Sequence, residues 1–111
     1  QGAGWLTMEE VKWKTNGQIT THSPSTYKIP AVSDMPEIFN VEIFKDGQNK
    51  ENVVNKSKTT GEPPLMNAMS VFFAIKDAIS SVGNYDITPI IDAPATPEKI
   101  LMSIKNLKKN L

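Results

Sequence analysis

Glu62, in the run Gly61-Glu62-Pro63-Pro64, is the side chain whose setting best suits acid–base chemistry. Two prolines directly after it suit the first turn of a helix, where their missing N–H groups would be unpaired in any case. A carboxylate there meets the positive end of the helix dipole, which favours the charged form that can accept a proton. The plainer alternative is an acid that only stabilises a helix start, by about 0.3–1 kcal/mol, and the local residues leave both open. At the other end of the chain, Gln1 carries an amide able to hydrogen-bond a ligand, or is simply an exposed end. Gly2 and Gly4 suit a close backbone approach, either to such a ligand or to a neighbouring helix.

The remaining chemistry is sparse. There is no cysteine, which excludes a thiolate nucleophile, a disulfide framework, iron–sulfur ligation and a Cys-bound zinc within these residues. His22 is the single histidine and no oxygen-ligand spacing accompanies it, so no metal site is expected in this chain. Tyr27 and Lys28 suit the anchoring of an ordered loop more than contact with a substrate. Twelve basic and twelve acidic residues cancel, which gives no reason to expect nucleic acid or an anionic membrane as partner. The longest apolar stretch, Leu65 to Ile75, is broken by Asn67 and Ser70 and is too short for a membrane span.

These residues need elements to position them. From Trp5 to Trp13 the apolar spacing fits the end of a helix passing into a strand, and Asn16-Gly17 predicts a turn across which Glu10–Thr15 and Gln18–His22 can pair. Ser23 to Pro36 is an extended, proline-punctuated loop expected to lie against a larger surface. Phe39, Val41 and Ile43 alternate on one face of a predicted strand ending at Asp46-Gly47. A long helix is predicted over residues 63–82, with a buried stripe of Ala68, Phe72, Ile75, Ile79 and Val82 and with Gly83 as a left-handed C-terminal cap. Val71, Ala74 and Ala78 widen that stripe beyond what 111 residues can cover, so part of the helix's surroundings is expected to come from outside them. A last helix over residues 97–108 has Thr96 as N-cap, Pro97 at its first position, Glu98 near its positive end and Lys105, Lys108 and Lys109 near its negative end. Its apolar face is Ile100, Leu101, Ile104 and Leu107. The fold class expected is α+β, with a few short antiparallel strands and these two main helices. A free-standing domain of this length would bury roughly two thirds of its unfolded surface.

Three stretches taken in order resemble one family. Gln1-Gly2-Ala3-Gly4 with Thr7-Met8-Glu9-Glu10, then Pro24-Ser25-Thr26-Tyr27-Lys28-Ile29-Pro30-Ala31, then Ser57-Lys58 leading into Gly61-Glu62-Pro63-Pro64-Leu65, are similar to the C-terminal end of the molybdopterin-binding part of xanthine dehydrogenases. Phe72-Phe73-Ala74-Ile75-Lys76-Asp77-Ala78 and Ala93-Pro94-Ala95-Thr96-Pro97-Glu98 extend the resemblance over the whole of residues 1–111. Related aldehyde oxidases tend to carry Ser-Gly after the Gly-Glu pair, so Pro63-Pro64 tilts the resemblance toward purine hydroxylation. Thr59-Thr60 and His22 depart from the family's usual residues, which bears on the substrate and not on the glutamate.

The resemblance implies a cytoplasmic molybdenum hydroxylase of purine metabolism, acting on hypoxanthine or xanthine-type substrates. Glu62 would be the base that activates the molybdenum-bound hydroxyl, and Gln1, with Gly2 beside it, would contact the molybdopterin. The iron–sulfur clusters, the FAD and the rest of the molybdenum-binding subunit would be supplied by other parts of the enzyme. Residues 1–111 are then expected to be a C-terminal fragment of that domain, inactive and cofactor-free in isolation. The alternatives are a molybdenum hydroxylase for another heterocycle or an aldehyde, and a stand-alone binding or structural module.

Overall fold

Regular structure in this chain is confined to three helices and two short 3₁₀ turns. The computed structural model describes residues 1–111, with α1 over Gly2–Thr7, α2 over Pro63–Ser81 and α3 over Pro97–Lys109, and 3₁₀ turns at Val32–Asp34 and Val54–Lys56. Six residues are too few for a helix to persist on local propensity, so α1 depends on what it packs against. It stops at Met8, where the N–H groups of Met8 and Glu9 both donate to the Gly4 carbonyl at 3.0 Å. The chain then extends and folds back as the Asn16-Gly17 turn predicts. Trp13 and Ile19 form an antiparallel bridge, Lys14 N–H donates to Gln18 at 2.9 Å and Thr20 N–H to Lys12 at 2.8 Å. Gly17 takes φ +82°, a left-handed value that costs glycine nothing.

The helix α2 opens on its two prolines and covers one side of itself. Ala68 and Ile79 are buried and Phe72 and Ile75 half-buried, as the predicted stripe requires, while Val82 lies beyond the helix and is exposed. Met66 and Phe73, on the other faces, are 61% and 59% exposed, so the helix lacks the all-round cover its sequence demands. Its end differs from expectation. Gly83 is not in the left-handed region; Asn84 and Tyr85 are, at φ 51° and 66°, and Tyr85 N–H donates back to the Ser80 carbonyl at 3.1 Å. Gly83 instead is buried against α3, where a Cβ would stand 2.6 Å from Leu107 Cδ2. Glycine is needed there for a close approach between helices, a tertiary demand with the same local spacing as a cap.

The helix α3 starts as predicted. The Thr96 hydroxyl accepts from Lys99 N–H at 3.4 Å, Pro97 follows, and Lys108 and Lys109 lie in the last turn. Leu101, predicted inward, is 51% exposed, and Ser103 is buried in its place. The exchange is possible because the Ser103 hydroxyl donates to the Ile90 carbonyl at 2.9 Å, which satisfies it and ties the preceding loop onto the helix.

Phe39 to Lys45 forms no strand in this chain. The backbone of residues 37–43 takes part in none of the hydrogen bonds outside the helices, and Phe39, Val41 and Ile43 are 63%, 72% and 86% exposed. A strand needs a partner for its N–H and C=O groups, and none of residues 1–111 is placed to be one. The whole molecule is correspondingly open. Its radius of gyration is 18.3 Å, against about 13 Å for a compact chain of this length. Its accessible surface is 9310 Å², about half as much again as the roughly 6,100 Å² of a compact monomer. It therefore buries roughly half its unfolded surface, short of the two thirds that a free-standing domain achieves.

Candidate active site

Glu62 is the N-cap residue of α2, yet its backbone already has helical angles (φ −88°, ψ −35°) and its side chain makes no capping hydrogen bond. Pro64 removes the N2 N–H that a cap side chain could accept from, and the N3 N–H, of Leu65, donates to the Glu62 carbonyl at 3.2 Å instead. The carboxylate is thus left exposed and free of the usual helix-start role. Gln1 is the N-cap residue of α1, also exposed and also without a side-chain capping bond.

The two helices meet at their starts. Gly2 is buried against the first turn of α2 so closely that a Cβ on it would overlap the carbonyl carbon and oxygen of Pro64 and would stand 2.8 Å from Ala68 Cβ. Pro64 and Ala68 are one turn apart on α2 and form a shallow notch that only a residue without a side chain can enter. Gln1 and Glu62 each lie within two residues of this backbone contact. The structure therefore brings the backbone of Gln1-Gly2 and that of Glu62, which are about half the chain apart in sequence, to one end of α2.

Two free polar side chains at such a place fit an organic ligand. An amide offers donors and an acceptor to a heterocycle edge, and a carboxylate offers a proton acceptor. No group of three or more His, Cys, Asp or Glu side chains is placed to hold a metal ion. The hollows of the surface lie elsewhere: the largest, of about 440 Å³, is lined by Thr21, His22, Ser23, Pro24, Tyr27 and Ile29, and neither Gln1 nor Glu62 lines any of them. Glu62 looks out from an unwalled surface.

The other end of α1 is fixed by a contact that local sequence patterns do not show. The Tyr27 hydroxyl donates to Glu9 Oε2 at 2.6 Å, the other oxygen of Glu9 covers Gly4, and a Cβ on Gly4 would come 2.7 Å from Pro30 Cδ. Tyr27 is therefore an anchor of the 23–30 loop, and Lys28 is exposed beside it. The hydrogen bond to Glu9 raises the Tyr27 phenol above its ordinary 10.0, with burial and the nearby negative charge acting in the same direction. Finally, Ala95 N–H donates to the Leu6 carbonyl at 2.7 Å, which ties the approach to α3 onto α1. The short first helix thus touches the start of α2, the proline-rich loop and the entry to α3.

Comparison with known proteins bears on this arrangement. Residues 1–36, which contain α1 and the loop it anchors, match the molybdopterin cofactor-binding domain. Xanthine dehydrogenase/oxidase from Felis catus is 46% identical over 106 residues, covering 90% of this chain. Xanthine dehydrogenase from Oryza sativa subsp. japonica is 43% identical over 114 residues and that from Emericella nidulans 42% over 109, each covering 93% of the chain. This stretch of sequence belongs to the xanthine dehydrogenase family. The chain spans 8% of the length of these relatives.

Proposed function

We propose that this chain contributes the general base of a molybdenum hydroxylase that oxidises hypoxanthine or xanthine-type purines, and that Glu62 is that base. The observation that supports the reading is the contact of Gly2 with the first turn of α2, next to Gln1 in one segment and Glu62 in the other, in a sequence similar to xanthine dehydrogenases. The molybdenum cofactor, when bound, supplies oxygen-transfer and two-electron redox chemistry. Gln1 would hold the cofactor through its amide, with Gly2 beside it. Glu62, fixed at the head of a proline-started helix, would receive the proton released at the reacting oxygen. The iron–sulfur clusters and FAD that carry the electrons onward belong to other parts of the protein in this reading, as do the groups that grip the purine. A cytoplasmic site of action belongs to this same proposal. No helix of the chain is long and apolar enough to cross a membrane.

An α+β architecture is proposed for the complete domain, in which Phe39–Lys45 gains a neighbouring strand. The deciding experiment for the function is Glu62→Gln in the complete, cofactor-loaded enzyme. Turnover of xanthine should fall by roughly 10²–10⁴-fold, the worth of a general base, with molybdenum content unchanged. Near-normal turnover would remove Glu62 from the mechanism.

A further inference from the structure

Gly2 is buried and has no side chain, so only its backbone could reach a ligand, and that backbone is pressed onto α2. We infer that Gly2 is a positioning residue: by seating α1 directly on the Pro64–Ala68 notch it fixes the spacing between Gln1 and Glu62. This deepens the reading of Glu62 as base and rests on it.

The argument is steric. A Cβ at Gly2 would occupy the space of the Pro64 carbonyl and crowd Ala68 Cβ at 2.8 Å. Neither wall can yield locally. The Pro64 carbonyl is part of the backbone, and the φ angles of Pro63 and Pro64 are held by their rings, so the turn cannot flex to take up the strain. Ala68 is 4% exposed in the second turn of the helix, and its Cβ follows the backbone. The strain is therefore relieved by separating α1 from α2 as bodies. Gln1 then moves with one helix and Glu62 with the other. On the far side α1 is held in turn, with Gly4 against Glu9 and Pro30 and Leu6 bonded to Ala95, so the displacement falls on the contact at Gly2. A misplacement of about 1 Å between groups that must act together can cost on the order of 10²-fold in rate.

The test uses the complete, cofactor-loaded enzyme with Gly2→Ala and, separately, Ala68→Val, which fills the same notch from the α2 side and leaves residue 2 untouched. Both should keep their molybdenum and pterin content and a KM for xanthine within about twofold, while kcat falls roughly 10²-fold and the acid limb of the kcat–pH profile is displaced. Gly2→Ala with parental kcat and pH profile overturns the inference. So does loss of molybdenum in Gly2→Ala while Ala68→Val behaves as the parent, a result that would make Gly2 a cofactor contact instead. If Gly2→Ala gives no folded enzyme, Ala68→Val decides by the same criteria. Glu62→Gln measured alongside separates the two ideas: an inactive Glu62→Gln with a normal Gly2→Ala sinks only the positioning role, and an active Glu62→Gln sinks the base.

Discussion

Tyr27 donates its proton to Glu9 across 18 positions of sequence, and this contact has a definite pH signature. Its phenol is raised above 10.0, so the fold favours the neutral form. The stabilisation is then fully present below the unfolded value near 10 and is lost as pH climbs through the higher folded value. Ultraviolet titration should show one tyrosine ionising above 10.0 that disappears in Tyr27→Phe, and a Tyr27→Phe curve identical to the parent's would contradict the assignment. Glu62 and Tyr27 also differ in how far sequence reveals them. The setting of Glu62 is written in adjacent residues, because a glutamate followed by two prolines defines its own helix start. The partner of Tyr27 is not, since nothing about Glu9 in the run Thr7-Met8-Glu9-Glu10 distinguishes it from its neighbour. Gly2 lies between these cases: its type announces a close approach, and only the fold names Pro64 and Ala68 as what is approached.

At the level of elements, both bounds of the two long helices were readable to within about one residue, and the residue that caps the end of α2 was not. Thr96-Pro97-Glu98 is a local helix signal, and Thr96→Ala should cost about 0.5–1 kcal/mol in chemical unfolding, toward the weaker end of N-cap losses because the 3.4 Å bond to Lys99 is long. A loss above about 2 kcal/mol would mean that Thr96 does more than cap. Ile79, at 2% exposure the most enclosed large side chain, should cost about 2–5 kcal/mol on truncation in Ile79→Ala; less than about 1 kcal/mol would show that α2 is not packed as described. Gly83 and Leu101 are instructive misreadings. Both follow local sequence rules and both are reassigned by packing on α3: Leu107 claims the space above Gly83, and Ser103 is turned inward to reach Ile90 of the preceding loop. The strand expected at Phe39–Lys45 does not form within residues 1–111 for a different reason, since alternation describes a capacity for pairing and pairing takes two.

Across the whole molecule, the surplus of accessible surface is concentrated where large apolar groups stand in water. Ile38, Phe39, Val41, Ile43 and Phe44 are all more than 60% exposed along one extended segment, and α2 adds Met66 and Phe73. Contiguous patches of this kind associate. Residues 1–111 alone should therefore sediment as concentration-dependent oligomers, without molybdenum and without hydroxylase activity. A monomer at all concentrations, or stoichiometric metal, would contradict that expectation. In the complete protein the amides of 37–43 should exchange with solvent far more slowly than in the isolated chain; equal rates would leave the segment unpaired there as well.

The bond from Ala95 to the Leu6 carbonyl has a consequence for the order in which this fold can be made. Within residues 1–111, α1 precedes two of its three neighbours, the head of α2 by about half of the stretch and the entry to α3 by most of it. Until both are in place a six-residue helix with two glycines has too little to hold it, so α1 precedes these neighbours in sequence and settles after them. A chain ending before Ala95 would lack that closing bond, and Gly2 would have to keep its seat on α2 without it.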